Sequence, residues 1–312
     1  MTPAEQGFLQ RNQLPGSYLA TAHQWFEPLL TEFNTNYRSG QAPQIIGING
    51  SQGSGKSTLG DYLCSMVEER HDVVAICLSM DDFYLTRSER IKLAKEIHPL
   101  LVNRGLPGTH DINLAISTIN SLKSGQDETM ITRFDKSTDD RCDNSVCDKV
   151  SGPVGLIILE GWCFGARPAA EESLDTPINL FEKQTDPDGF CRRHVNNALS
   201  GDYQELFAMV DRMVMLRAPS FDVVFQWRLE QEQKMIAQLK KAKPGGSDPG
   251  VMTEQQIFEY IQNFQRITEH CLVEMPSRVD HLFELDQHRN ISVYSQPRRR
   301  SHSNKFRADC LS

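Results

Sequence analysis

The run from Gly50 to Thr58 has the residue types and spacing of a phosphate-binding loop. It reads Gly-Ser-Gln-Gly-Ser-Gly-Lys-Ser-Thr and fits the pattern GxxxxGK[ST] at every fixed position, directly after the apolar run 44–49. Backbone N–H groups of such a turn point at phosphate oxygens, the lysine reaches the β- and γ-phosphates, and the hydroxyl after it ligates Mg²⁺. The sequence therefore predicts a nucleoside triphosphate site. Its residues are Gly50, Ser51, Gln52, Gly53, Ser54, Gly55, Lys56, Ser57 and Thr58.

Acidic residues stand where two other apolar runs end. Asp81 and Asp82 follow the run 73–79, and Glu160 follows the run 154–159. Ligands of parallel sheets bind beyond the carboxyl ends of the strands, so these carboxylates are expected beside the phosphate loop. There a carboxylate can accept the proton of an attacking hydroxyl or organise Mg²⁺. The alternative for the aspartate pair is a turn or helix N-cap.

Cationic residues follow a third apolar run, 129–134. Arg133, Lys136 and Arg141 lie at its end or in the loop after it. Guanidinium and ammonium groups suit a phosphorylated or carboxylated substrate. A solvated charged loop is the alternative.

A further loop, 104–111, contains Arg104 and His110 together with two glycines and a proline that restrict its shape. His110 is a candidate for binding substrate. It could instead help Asp111 to cap the helix that follows.

Apolar runs alternate with helical stretches through most of the chain, which predicts an α/β fold with a mostly parallel sheet of five or six strands and helices on both faces. The predicted strands are 44–49, 73–79, 129–134, 154–159, 212–216 and 279–285. The predicted helices are 16–35, 57–70, 86–97, 111–123, 220–242 and 253–273.

The segments divide into an N-terminal helical extension at 1–40, a main domain at 41–294 and a basic tail at 295–312 that is expected to be disordered. The polar stretches 135–153 and 165–200 are interpreted as irregular insertions, and 243–250 as a loop.

Composition excludes several classes of protein. A net charge of −8 and a pI near 5.6 disfavour a nucleic-acid-binding surface. No apolar stretch approaches the ~20 residues that a membrane helix needs. The eight cysteines contain no CxxC pair, which is typical of reduced thiols. These features predict a cytoplasmic protein without membrane or nucleic-acid partners, and they do not predict its oligomeric state.

Six separated motifs in one order resemble the phosphoribulokinase and uridine kinase branch of P-loop kinases, and within it the plant and fungal D-glycerate 3-kinase group. They span residues 42 to 294. The motifs are 50–58, Ser-Met-Asp-Asp-Phe-Tyr-Leu-Thr at 79–86, Arg-Gly-Leu-Pro-Gly-Thr-His-Asp at 104–111, Arg-Phe-Asp-Lys-Ser at 133–137, Leu-Glu-Gly-Trp at 159–162 and Phe-Gln-Trp-Arg-Leu-Glu at 225–230.

The resemblance implies a P-loop kinase fold, ATP and Mg²⁺ as cofactors, and transfer of the γ-phosphoryl group to a small hydroxy acid, with D-glycerate giving 3-phosphoglycerate. It implies that Asp81 is the base and that Ser57 and Glu160 hold the metal. Lys56 would neutralise the transferring phosphoryl group, and Arg228 would be a lid arginine, although pairing with Glu232 is its alternative. The candidate substrate-binding residues are Asp82, Tyr84, Arg104, His110, Arg133, Lys136 and Arg141.

Three other functions remain open. A nucleoside or pantothenate kinase would share the scaffold. A regulatory GTPase needs an Asn-Lys-x-Asp segment, which this sequence lacks. A non-catalytic ATP-binding protein would not need carboxylates at the strand ends.

Overall fold

A computed structural model of the chain describes residues 1–40, 42–125, 128–143, 145, 147–242 and 253–298. The strands are β1 (Gln44–Gly50), β2 (Val74–Ser79), β3 (Thr129–Ile131), β4 (Phe134–Asp135), β5 (Asp140–Arg141), β6 (Asp148–Val150), β7 (Val154–Gly161), β8 (Arg212–Arg217), β9 (His281–Leu285) and β10 (Ile291–Ser295). The helices are α1 (Pro3–Asn12), α2 (Tyr18–Arg38), α3 (Lys56–His71), α4 (Arg87–Glu96), α5 (Ile112–Ser124), α6 (Leu180–Thr185), α7 (Phe190–Ser200), α8 (Asp202–Phe207), α9 (Phe221–Ala242) and α10 (Glu254–Glu274).

The main sheet has six strands in the order β10-β9-β8-β1-β7-β2. All neighbours in it are parallel except β9 and β10. Every residue of β1 and β7 is buried, as expected for central strands that helices cover on both faces. The predicted α/β class and the mostly parallel sheet are confirmed.

The register of the sheet places three strand ends side by side. Glu160 in β7 lies opposite Ile48 of β1 on one side and Ser79 of β2 on the other. The phosphate loop follows β1 and the aspartate pair follows β2. The three acidic and glycine-rich segments therefore meet at one edge of the sheet, as the strand-end argument predicts.

The third predicted strand does not belong to this sheet, and that part of the prediction is wrong. The predicted run is divided between two elements: Thr129–Ile131 pairs antiparallel with β6 in a separate two-stranded ladder, and Phe134 begins β4. Met130 in this strand is exposed while its two neighbours are buried. A strand with one solvent-exposed face does not suit a central position in a parallel sheet, because such a sheet is buried on both faces.

The two stretches expected to be irregular contain regular structure. Within 135–153, a tight hairpin joins β4 to β5 and β6 follows. Within 165–200, the chain forms a 3₁₀ turn at Glu171–Leu174 and the helices α6 and α7. The 3₁₀ turn buries only Leu174, α6 buries no residue and α7 has 11 residues, so each element is too short or too polar for periodicity to predict it from sequence.

The six helices predicted from the sequence are present, and two of them begin at the side-chain caps that the sequence suggests. Asp111 accepts the N–H of Leu114 at the start of α5, and Thr253 forms a capping box with Gln256 at the start of α10. α2 is one helix that contains Pro28. The loop 243–250 and the tail from residue 299 onward lie outside the described residues, and we keep the domain boundaries near residues 40 and 294 as proposals. No helix in the described ranges combines the length and apolarity that a membrane crossing requires.

The N-terminal helices are held to the main domain by an aromatic cluster and by a buried ion pair. Phe8, Phe26, Tyr62 and Phe283 pack with ring centroids 5.2 to 5.9 Å apart. Glu32 of α2 contacts Arg212 of β8, and His281 Nε2 of β9 lies 3.3 Å from Glu32 Oε2. The hydrogen bond from His281, together with Arg212, lowers the pKa of Glu32 to about 2 despite its burial.

We expect Glu32→Gln to lower the free energy of unfolding near neutral pH by about 2 kcal/mol. A pKa lowered from 4.5 to about 2 corresponds to roughly 3.4 kcal/mol, and water around the partly exposed Arg212 screens part of it. The folded-state pKa lies below the unfolded one, so the contribution is present above about pH 4.5 and is lost as the pH falls toward 2. Urea unfolding at a series of pH values measures it. Equal stability of the variant and the parent at pH 7 would contradict the assignment. Glu27→Gln, which breaks an exposed pair with Arg70, is the matched control.

Candidate active site

The phosphate loop connects the buried strand β1 to the first turn of α3. Gly53 and Gly55 have φ angles of +76° and +94°, a region that favours glycine. A Cβ on Gly53 would lie 2.9 Å from Cβ of Trp227, so α9 packs directly on the loop. Lys56 Nζ donates to the carbonyl of Ser51 at 3.1 Å, which curls the lysine over the loop.

Buried polar atoms in this loop are without hydrogen-bond partners among the described residues. They are Ser51 Oγ, Gln52 Oε1 and Ser54 Oγ. An unpaired buried polar group costs about 1–3 kcal/mol, so a loop that holds several is built for a ligand. Serine hydroxyls, backbone N–H groups and the N-terminus of the 16-residue helix α3 all suit phosphate oxygens. The residues present therefore fit the triphosphate of a nucleotide.

Ser57 and Glu160 form the part of the site suited to a metal. Ser57 Oγ donates to Glu160 Oε1 at 2.7 Å across the gap between α3 and β7. In the described part of the chain, no group of three or more His, Cys, Asp or Glu side chains is arranged to hold a metal ion. One hydroxyl and one carboxylate suit Mg²⁺, which proteins usually bind through one or two side chains together with water and substrate phosphates.

Asp81 lies in a 3₁₀ turn after β2 and has both carboxylate oxygens engaged. Tyr84 Oη donates to Oδ1 at 2.8 Å, and Lys136 Nζ lies 2.5 Å from Oδ2. Burial raises the pKa of Asp81, but Lys136 and the two hydrogen bonds outweigh it and hold the pKa below its ordinary value. Asp81 is therefore ionised at neutral pH.

Tyr260 on α10 lies within the electrostatic influence of several charged candidate residues. Burial raises the pKa of Tyr260, and the charge of Asp81 raises it further. The cations close enough to oppose that shift are Arg104, Arg228 and Lys136. Four residues singled out in four separate sequence motifs thus act on one aromatic hydroxyl, and Tyr260 itself was missed because nothing in its helix distinguishes it.

Lys136 sits on the β4–β5 hairpin, which is anchored firmly. The guanidinium of Arg90 is fully buried and donates to the carbonyl of Asp139 at 2.6 Å, with Asp139 Oδ2 3.0 Å away. Arg104 pairs with the same carboxylate. Arg90 and Arg104 also lie over the ring of Phe134, at 5.7 and 5.6 Å from its centroid. These contacts hold the hairpin so that Lys136 reaches Asp81.

Two of the cations predicted to bind substrate are committed to neighbouring carboxylates. Arg133 Nη1 donates to Asp82 at 2.7 Å and Nε donates to Asp148 at 2.8 Å. Arg141 Nη2 donates to Asp111 at 3.0 Å and its Nε donates to the carbonyl of Tyr84.

Asp82 also accepts the N–H of Ser79 at 3.0 Å, so it caps the 3₁₀ turn that presents Asp81. In this structure Asp82 has the turn-capping role given above as the alternative to a catalytic one. Together with Arg133 and Arg141, it holds the loops around Asp81.

His110 lies beside Asp81 in a closed environment. Its side chain is 6 % exposed, and its ring stacks on Tyr84 with centroids 4.5 Å apart. Burial lowers the pKa of His110 to about 4 although Asp81 opposes the shift, so the ring is neutral at physiological pH. Nε2 is buried without a partner among the described residues.

Polar side chains that sequence reasoning missed lock these segments together. Asn49 Nδ2 donates to the carbonyls of Trp162 and Phe164 at 3.2 and 2.9 Å, and Trp162 Nε1 donates to the carbonyl of Gly105 at 3.2 Å. The polar Asn49 inside an otherwise apolar run was the available signal, since a buried amide needs hydrogen-bond partners.

Comparison with known proteins gives the family. No family model matches the chain. A protein of Schizosaccharomyces pombe described as an uncharacterized kinase is 34% identical over 230 residues, which are 71% of this chain and 78% of that protein. The chloroplastic D-glycerate 3-kinase of Arabidopsis thaliana is 28% identical over 284 residues, which are 85% of this chain but only 58% of the plant protein.

A solved structure supports the fold. The D-glycerate 3-kinase of Cryptococcus neoformans superposes with a TM-score of 0.70 and covers 86% of this chain and 96% of its own length, at 24% identity. Together with the phosphate loop and the carboxylates aligned at the sheet edge, the sequence matches show that the chain belongs to the family of ATP-dependent P-loop small-molecule kinases that includes the Schizosaccharomyces pombe kinase and the plant D-glycerate 3-kinase.

Proposed function

We propose that this kinase transfers the γ-phosphoryl group of ATP to a hydroxyl of D-glycerate and so forms 3-phosphoglycerate. The observation that carries the proposal is the surroundings of Asp81, where one ionised carboxylate pairs with Lys136 and lies near a neutral histidine, while Lys136 and Arg104 both act on the neighbouring Tyr260. A small acid with a free hydroxyl suits such a pocket, because its carboxylate needs cations and its hydroxyl needs a base. The cytoplasmic location stays a prediction from the sequence.

The donor half of the site would hold Mg²⁺–ATP. Residues 50–58 would wrap the phosphates, and Lys56 would leave the carbonyl of Ser51 to neutralise the transferring group. Ser57 and Glu160 would hold the metal directly or through water, and the bound metal would neutralise charge on the phosphates. Arg228 of α9 would close over the phosphates, which its position near Tyr260 supports.

The acceptor half would use Asp81 to orient the attacking hydroxyl and accept its proton. Because Lys136 and Tyr84 occupy both oxygens of Asp81, the hydroxyl would displace or share one of these contacts. Lys136, once freed, is placed with Arg104 to neutralise the carboxylate of the acceptor. We assign to Arg133 and Arg141 the anchoring of the surrounding loops, because their guanidinium groups are paired.

The direct test is ADP release measured with a coupled assay across D-glycerate, L-glycerate, uridine and pantothenate. We expect stimulation by D-glycerate and a 3-phospho product identified by ³¹P NMR. If only uridine or pantothenate stimulates ADP release, that compound takes the place of D-glycerate as the proposed acceptor. If none of the four compounds stimulates it, the proposed function is overturned.

We expect Asp81→Asn to reduce kcat by about 10²- to 10⁴-fold, the usual contribution of a positioned general base. ATP affinity should stay largely intact because Asp81 does not touch the phosphate loop. Steady-state kinetics and binding of a fluorescent ATP analogue measure the two effects. Asp175→Asn, at a side chain 67% exposed, serves as control, and turnover of Asp81→Asn similar to that control would sink the base assignment.

We expect Lys136→Ala to lower kcat/KM for D-glycerate about 10- to 100-fold, because a charge-assisted hydrogen bond contributes about 1.5–3 kcal/mol. Lys136 lowers the pKa of Asp81, so its removal raises that pKa and moves the acidic limb of the pH profile to higher pH. The kinetics should be measured from pH 5 to 8. Lys149→Ala, which breaks an exposed pair with Glu128, is the matched control. An unshifted acidic limb would contradict the coupling.

We expect Glu160→Gln to raise the Mg²⁺ concentration for half-maximal rate by about tenfold or more, the usual effect of losing a group that orients a metal site. Titration of Mg²⁺ at saturating ATP measures it. The exposed Glu128→Gln is the control. A parental Mg²⁺ dependence would exclude Glu160 from the metal site.

A further inference from the structure

Tyr203 of α8 touches the candidate acceptor site through His110. The side chain is 2% exposed. Its hydroxyl oxygen lies 2.6 Å from His110 Nδ1 and accepts the backbone N–H of Gly108 at 2.9 Å. Its ring meets that of His110 edge-on, with centroids 5.8 Å apart and planes at 83°. No motif in the sequence includes Tyr203, and no role above uses it.

The number of available protons determines which atom donates the hydrogen bond between Tyr203 and His110. A backbone N–H can only donate, so the Tyr203 oxygen is the acceptor toward Gly108. Its single proton is then free for Nδ1 of His110, and no other acceptor for that proton is seen among the described residues. A neutral imidazole carries one N–H, and Nδ1 is the acceptor here. The proton of His110 therefore resides on Nε2.

The N–H of His110 that results is buried and unpaired. Nε2 has no hydrogen-bond partner among the described residues. The surrounding chain is rigid, since Asp111 N donates to the carbonyl of Phe83 at 2.7 Å and Leu85 N donates to that of Thr109 at 2.9 Å. These bonds join the loop 104–111 to the turn that carries Asp81. A buried donor left unpaired costs free energy, and a site that retains one has a use for it when a ligand binds.

We propose that Tyr203 is a positioning residue that keeps the proton of His110 on Nε2, so that this N–H donates to an oxygen of the bound acceptor. The proposal rests on the acceptor site proposed above. The Nε2–H of His110 favours a carboxylate or hydroxyl oxygen of the ligand and disfavours an ammonium group at the same place. In this scheme Lys136 and Arg104 neutralise the charge of the acceptor's carboxylate, whereas the neutral His110 orients the acceptor through one hydrogen bond.

The first experiment reads the position of the proton without any substrate. Long-range ¹H–¹⁵N correlation spectra of the full chain distinguish the two neutral tautomers of a histidine, and His110→Gln assigns the signal. We expect the Nε2–H form in the parent protein and a mixture of tautomers in Tyr203→Phe. An Nδ1–H form in the parent, or an unchanged pure Nε2–H form in Tyr203→Phe, would overturn the proposal.

The second experiment is a double-mutant cycle. Gln in place of His110 offers an amide N–H that Tyr203 does not control, so it separates the tautomer effect from a structural one. We expect Tyr203→Phe to raise KM for D-glycerate about fivefold to tenfold, as for the loss of one hydrogen bond, with KM for ATP unchanged. In the His110→Gln background the same substitution should have little further effect.

Equal effects of Tyr203→Phe in both backgrounds would show that it acts by moving the loop at Gly108, and would overturn the proposal. Tyr37→Phe on α2, far along the chain from the site, is the matched control. If D-glycerate is not the acceptor, the parent protein itself shows no turnover with it, while the NMR result still decides the role of Tyr203. Failure of the proposed function and failure of this inference are therefore distinguishable.

Discussion

The parallel register of β1, β7 and β2 is the constraint on which the site depends. It places Ile48 of β1 and Ser79 of β2 on either side of Glu160. The phosphate loop, the carboxylate of Glu160 and the aspartate turn consequently lie at one edge of the sheet. A shift of one residue in either pairing would turn Glu160 to the opposite face of the sheet and separate it from Ser57.

Beyond that edge, the acceptor half is organised by charge compensation. Asp81 is a partly buried carboxylate beside a site for phosphates, and such a charge is stable only with close cations or donors. Lys136 and Tyr84 fill that need before a substrate arrives. The same contacts keep the carboxylate ionised and therefore able to receive a proton. In the proposed reaction, substrate binding would exchange one set of polar contacts for another.

The precision of that exchange comes from contacts that hold the surrounding segments in place. Arg90 and Arg104 grip the turn of the β4–β5 hairpin through Asp139, and Phe134 lies against both guanidinium groups. Tyr203 and Tyr84 enclose the ring of His110. A flexible lysine and a ring with two tautomers both become directed donors because their surroundings leave them few alternatives.

Sequence reasoning located the phosphate loop, the strand-end carboxylates and most helices, because each is encoded by local spacing or local chemistry. It misplaced the strand at 129–131 and did not predict that Arg133 and Arg141 pair with carboxylates. A charged side chain looks the same in sequence whether its partner is a ligand or a carboxylate brought in by folding. Asp148 and Asp111, which pair with these arginines, are 15 and 30 residues away in the chain.

By itself, then, the sequence determined the fold class, the nucleotide loop and the carboxylates at the strand ends, since glycine geometry, apolar periodicity and strand ends are local properties. Only the tertiary structure decided which cations face Asp81, that Tyr260 and Tyr203 border the acceptor site, and that His110 is neutral with an unpaired Nε2. Those features depend on burial and on contacts between distant segments, and neither hydrogen-bond partners nor the pKa of a buried ring can be read from residue order.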